Sequence, residues 1–149
     1  MRALSIRQPF AELILRGVKT IEYRSRATRL IGERFWIYAA QRPDPGQAED
    51  AAAEAQRIWS NDLAVPNRAE RGAAPPMWMM ELARRVISKE LPTGVIVGSA
   101  VIERCEAVQR TTDDGQRTPL FEWHLAGVER AASMRKPARQ PQPAWFRPF

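Results

Sequence analysis

The sequence is poor in the residue types that most often announce a chemistry. Among 149 residues there is one cysteine, Cys105, and one histidine, His124. A single cysteine excludes an internal disulfide and any multi-cysteine zinc site, and it fits a reducing compartment, so the expected location is cytoplasmic. Cys105 falls in a strand-like run, Ala100 to Val108, and reads as a packed, inert thiol. His124 has no second histidine or cysteine to complete a conventional metal set. It reads as a surface or hydrogen-bonded structural residue, with a catalytic role as the alternative. No apolar run approaches the roughly 20 residues of a membrane span. Arg2 and Arg7 interrupt the start too early for a secretory core, so neither a membrane partner nor a targeting segment is expected.

Lysine is also scarce, at three residues against 20 arginines, a bias that GC-rich coding produces without any functional cause. The net charge is +6, and its distribution is more informative than its sum. Residues 1–42 hold nine Lys/Arg and three Asp/Glu, whereas residues 43–90 hold six and eight. Positive charge clustered near the start favours a phosphate-bearing partner. Length suits one domain, expected to span residues 1–149.

The stretch Gly17–Arg24 organises the rest. A short apolar run (Phe10, Leu13, Ile14) ends at Arg16-Gly17, where glycine is the usual helix stop. The following residues alternate, with Ile21 and Tyr23 on one face and Thr20, Glu22 and Arg24 on the other, as in a half-buried strand. Lys19 is out of phase with Glu22 and joins it only if the turn after Gly17 bends its stem round. Three ionisable groups of mixed sign within six residues suit a polar or anionic ligand. The same spacing also fits an i, i+2 ion pair on an exposed strand.

Before this stretch, Arg2–Ile6 reads as a strand and Pro9–Arg16 as a helix, with Arg7 and Gln8 at their junction, a common place for ligand-facing groups. After it, Ser25–Arg34 is a polar loop carrying Arg26 and Arg29, and Phe35–Ala40 an aromatic, β-branched strand. Trp36 on that strand either packs under a helix or stacks on a ligand. From Gln47, Ala48, Ala51, Ala52, Ala55, Ile58 and Trp59 recur at helical steps. Asn61–Pro76 is irregular, and a second helix is expected over Met77–Ser88 with Met80, Ala83, Val86 and Ile87 as its stripe. Residues 42–90 together read as a helical insertion. Val95–Ile102 has apolar residues on both faces, as a doubly buried strand does. Thr111–Gly115 is a turn, Phe121–Leu125 an alternating strand, and Arg135–Phe149 a basic, proline-rich end with Trp145 and Phe146, whose aromatics pack back.

Gly17-x-Lys19-x-x-Glu22-x-Arg24 resembles the signature of the ASCH domain, a relative of the PUA RNA-binding domain. Ala3–Phe10 is similar to the family's opening strand and turn, Leu91–Gly98 to its later core strand, and Phe121–Leu125 to its aromatic strand near the end. The resemblance spans most of the chain, with Arg42–Glu90 the least typical part. It implies an α+β fold: a PUA-like mixed β-barrel flanked by two or three helices, with the helical insertion in the middle of the chain.

The resemblance also implies RNA or modified-base binding, and the composition supplies the means: arginines for phosphates, and Trp36, Trp59, Trp123 and Trp145 for bases. RNA, another single-stranded nucleic acid or a nucleotide-like small molecule is therefore the expected partner. The expected ligand-binding residues are Arg7, Gln8, Lys19, Glu22, Arg24 and Arg26. Glu22 repels phosphate, so it either holds the cations in place or accepts hydrogen bonds from a base edge.

The alternative is a small hydrolase with Lys19 and Glu22 as catalytic residues. Some ASCH-like proteins are amidohydrolases on N4-acylated cytidine nucleosides, with a threonine at the Glu22 position, so that nucleophile is missing here. Others are described as metal-assisted ribonucleases, which would ask Glu22 and Glu122 to help hold a divalent ion. No cofactor is otherwise expected, and no residue is assigned as a metal ligand. A third reading is a protein-interaction module using the acidic insertion.

Overall fold

The computed structural model describes residues 1–41, 55–56, 75–111 and 115–149. The chain begins with strand β1 (Ala3–Ile6), helix α1 (Phe10–Leu15), strand β2 (Ile21–Arg24) and strand β3 (Arg34–Ala39). Helix α2 (Met77–Ile87) follows, then the long strands β4 (Val95–Thr111) and β5 (Arg117–Arg135) and the short β6 (Trp145–Phe146). They form one six-stranded sheet in the order β2-β5-β4-β3-β1-β6. The β1–β3 pair is parallel and every other pair antiparallel, so the expected mixed sheet of an α+β fold is present.

The β4–β5 ribbon shifts register three times, between Ile96 and Gly98, Ser99 and Val101, and Ile102 and Arg104. Each extra residue bends its strand and increases local twist. The sheet curls accordingly, and side chains bridge it: Trp123 of β5, the neighbour of edge strand β2, stacks on Trp145 of edge strand β6 with ring centroids 5.6 Å apart. Among the described strand pairs no ladder joins β2 to β6, so this contact does not close a barrel by hydrogen bonds.

The concave face carries the main core. Leu4, Ile6, Phe35, Ile37, Ala39, Val97, Ala100, Ile102, Trp123 and Leu125 pack there against Ala11 and Ile14 of α1. Gly98 is where α1 crosses β4. A Cβ there would lie 2.5 Å from both Glu129 O and Leu15 Cδ2, so only glycine fits without movement. The opposite face of β3 is covered too, where Tyr38 meets Phe146 edge to face at 5.3 Å. Trp36 is half-buried on this face, with Arg135 Cζ 5.8 Å from its ring.

A second cluster joins Leu13 of α1, Ala55, Leu91 and α2. The buried residues of α2 are Met79, Leu82 and Ala83, with Met80 and Val86 partly covered. The inward stripe is thus i, i+3, i+4, i+7 from Met79; it includes Ala83 and Val86 of the stripe read in the sequence, has Met80 at its edge, and adds Met79 and Leu82 in place of Ile87. The helix expected from Gln47 and the irregular Asn61–Pro76 lie outside the described residues except for Ala55, Gln56, Pro75 and Pro76. Ala55 is fully buried and helical. Residues 112–114 of the expected turn also lie outside them. Among the described residues no helix is long and apolar enough to cross a membrane.

Candidate functional site

Helix α1 stops as the sequence suggests. Gly17 has φ +73, its N–H donates to Ile14 O at 2.9 Å, and the Val18 N–H donates to Leu13 O at 3.0 Å. That pair of bonds is the Schellman arrangement, which satisfies the helix-end carbonyls and requires the left-handed conformation glycine adopts at low cost. The Lys19 N–H shares Leu13 O at 3.1 Å, which turns the lysine stem back under the sheet. Lys19 Nζ then reaches 3.1 Å from Glu22 Oε2 and donates to Ile21 O.

Strand β2 presents the opposite face from the one its apolar residues suggest. Glu22 is its buried residue, 8% exposed, whereas Ile21 and Tyr23 are half-buried. Glu22 pairs in register with buried Trp123, so it points to the concave side. A carboxylate tolerates that position only with counter-charges, and it has two: Lys19, and Arg24 with Nε 3.0 Å from Oε1. The Arg24 Nε–H is not aimed at the carboxylate, so this contact is an ion pair without a directed hydrogen bond. Arg24 Nη2 instead donates to Ser5 O of β1 at 2.8 Å.

Lys19 is only 3% exposed. Burial pulls its pKa below the usual 10.5, Glu22 opposes that shift, and Arg24 adds to it. Two cations around one carboxylate leave the network with one excess positive charge, and Arg24, whose side chain is 23% exposed, presents it outward.

The remaining expected residues divide. Arg7 and Arg26 are exposed, and the Arg26 carbonyl accepts a bond from Trp123 Nε1 at 3.2 Å. Gln8 is buried: its Oε1 accepts from the Glu12 N–H at 3.1 Å and its Nε2 donates to Pro92 O at 3.0 Å. Its amide thus satisfies a first-turn donor of α1 and ties the helix to the segment before β4. Trp123 is 3% exposed, so it lines the core and offers no face to a base.

Sequence reasoning missed Glu12. This helix carboxylate is 5% exposed and accepts two bonds from the Arg130 guanidinium, at 3.0 and 3.1 Å, and one from Arg16 Nε at 2.8 Å. Its position inside Phe-Ala-Glu-Leu-Ile-Leu was the available signal, since a charge between core residues needs a partner. Nothing in the sequence pointed to Arg130, more than a hundred residues away.

Glu22 and Glu122 do not converge on a shared ion, because Glu22 lies opposite Trp123 and Glu122 therefore faces the other side of the sheet. On that outer side Glu122, Glu106 and His124 bring one ligand atom each within 4.8 Å of one another. His124 Nε2 is 3.4 Å from both carboxylates, and Nδ1 is 3.2 Å from Arg104 Nη2. A guanidinium only donates, so Nδ1 is the acceptor and Nε2 carries the proton. A metal-ligating histidine needs the reverse, a bare nitrogen toward the ion and an N–H toward an acceptor. Glu106 is moreover paired with Arg104 Nε at 3.1 Å. As arranged, the group is a half-exposed ionic cluster in which the buried His124 Nε2 has no hydrogen-bond partner among the described residues.

Comparison with known proteins gives one family. The model of the ASCH domain matches residues 4–135. Activating signal cointegrator 1 of Homo sapiens and its counterpart in Mus musculus are each 38% identical to this chain over 65 residues. The aligned part is 43% of this chain and 11% of each relative, so the chain spans a small fraction of their length.

Proposed function

Since the chain belongs to the ASCH domain family, we propose that it binds RNA or a nucleotide-like ligand at the Gly17–Arg24 motif. The observation that carries this reading is the buried Lys19–Glu22–Arg24 network with its one uncompensated positive charge. Lys19 and Glu22 position the guanidinium, and Arg24, with the exposed Arg7 and Arg26, meets phosphate. Holding a guanidinium rigidly before the ligand arrives lowers the ordering cost of binding. Gln8 supports the rim from within by anchoring the start of α1. The binding surface is the rim beside β2 and the start of α1, where Arg24 is 23% exposed and Arg7 and Arg26 are exposed.

Hydrolysis is the second reading, favoured by the depressed pKa of Lys19 beside a carboxylate. Against it, Nζ is engaged by both Glu22 and Ile21 O and is nearly closed to solvent. The discriminating experiment incubates the protein with labelled single-stranded RNA and with a panel of acylated and methylated nucleosides, with and without divalent metal. Glu22→Gln is run alongside. The binding reading expects saturable, salt-sensitive complex formation with no product; product formed by the wild type and lost in Glu22→Gln overturns it.

A further inference from the structure

A cavity of about 240 Å³ opens at the start of β1, and Arg2, Leu30, Glu33, Arg34, Phe35 and Arg147 line it. It includes none of the motif residues. Arg24 touches β1 at Ser5, and Arg2 lies three residues back along the strand, ~10 Å away at the strand rise of about 3.3 Å per residue.

Three arginines line this cavity. In the β1–β6 pairing Leu4 faces Trp145 and Ala3 faces Phe146. Arg2 and Arg147 each lie one residue beyond the end of that two-residue ladder, and both line the cavity. The neighbouring strand adds a third guanidinium, because the Trp36 N–H donates to Arg2 O at 2.9 Å and Arg34 lies two residues before Trp36.

These three arginines are not equivalent. Arg34 is fixed and compensated: Nη1 donates to Ser99 Oγ at 2.9 Å and to Gly127 O at 2.8 Å, and Nη2 is 3.2 Å from Glu129 Oε1. Among the described residues, neither Arg2 nor Arg147 has a side-chain partner, and Glu33, the lining carboxylate, reaches no arginine within ion-pair distance. Two unpartnered guanidiniums therefore share one concavity with an apolar floor of Leu30 and Phe35. Guanidinium pairs match the oxygens of a phosphate group, which accepts several hydrogen bonds at once and removes the repulsion between them.

We propose that this cavity is a phosphate-binding site, with Arg2 and Arg147 as its ligating residues and Arg34 as a fixed wall. The phosphate belongs either to a free phosphate or nucleotide or to an RNA strand that also crosses the motif. Only the RNA arm rests on the function proposed above; the site itself does not.

The test uses inorganic phosphate, adenosine 5′-monophosphate and a single-stranded RNA oligonucleotide, each at matched ionic strength. Melting temperature and backbone amide shifts are read for the wild type, Arg2→Gln, Arg147→Gln and the double variant. The wild type should gain melting temperature with at least one probe, with shifts at residues 2, 34 and 147. Each single variant should bind about tenfold more weakly, as expected for loss of one charged hydrogen-bond donor. In phosphate-free, low-salt buffer each single variant should melt no lower than the wild type, because neither guanidinium has a partner to lose among the described residues. A response to phosphate or the mononucleotide assigns a free anion; a response to RNA alone assigns a strand phosphate. Equal responses of wild type and double variant to all three probes overturn the site. The motif is tested separately by Arg24→Ala with RNA, so failure of one leaves the other standing.

Discussion

Arg24 Nη2 donates to Ser5 O at 2.8 Å and so joins the edge strand β2 to β1, which is the fifth strand in sheet order. One arginine thus serves the fold and the candidate site. Its Nη2 crosses the curl of the sheet, while its Nε stands 3.0 Å from buried Glu22. Arg24→Ala should lower unfolding free energy by about 1–3 kcal/mol, the range for a lost charged hydrogen bond. Urea unfolding measures that loss, and the circular dichroism of a folded sheet should persist.

Glu12 predicts an acid sensitivity. Burial pushes its pKa up, but bonds and charges from Arg130 and Arg16 outweigh burial and bring it below the usual 4.5. The folded state therefore holds its proton less tightly than the unfolded chain. The resulting stability is fully present above pH 4.5 and is lost as pH falls through the depressed value. Glu12→Gln should cost about 1–2 kcal/mol at neutral pH and flatten the acid limb of stability against pH. An unchanged acid limb would show that the bidentate contact is not formed in solution.

Lys19 predicts the opposite limb. Its folded pKa lies below 10.5, chiefly through burial, so the unfolded chain holds a proton that the folded chain gives up more readily. Stability contributed by this group rises with pH up to 10.5. The difference in urea midpoint between wild type and Lys19→Met should therefore move in favour of the wild type as pH increases across that window. Tyr38, whose pKa is raised by burial, is common to both proteins and cancels in the comparison.

Gly98→Ala should destabilise by about 1–3 kcal/mol, the usual cost of forcing extra atoms into packed structure. The clash includes a backbone oxygen, Glu129 O, which cannot rotate away as the Leu15 side chain can. A variant as stable as the wild type would mean that α1 does not sit this close to β4.

Much of this architecture was legible in the sequence. Alternation located the strands, and the Arg16-Gly17 stop located the turn that swings Lys19 toward Glu22. Alternation separates two faces without saying which is buried, and for β2 the usual rule failed. Glu22 faces inward because Lys19 and Arg24 neutralise it, and Ile21 and Tyr23 are left on the half-buried side. The full lengths of β4 and β5 were hidden for a related reason. At the outer end of β5, Arg117–Pro119 is exposed on both faces and carries no apolar period to read. Gln8 and Trp123 read as ligand groups because polar and aromatic side chains look alike whether they face solvent or satisfy the interior. Only the register and the partners separate those cases.

The most direct test of the central claim is the affinity of the protein for a labelled single-stranded RNA as a function of salt, measured by fluorescence anisotropy. Wild type, Arg24→Ala and Arg26→Ala are compared. A phosphate-binding motif predicts that the wild type binds with a log Kd that rises with log salt, because bound counterions are released from the strand. Arg24→Ala should bind at least tenfold more weakly, and Arg26→Ala should lose less affinity but flatten the slope. Affinity and slope equal in all three proteins would remove the Gly17–Arg24 motif from RNA binding.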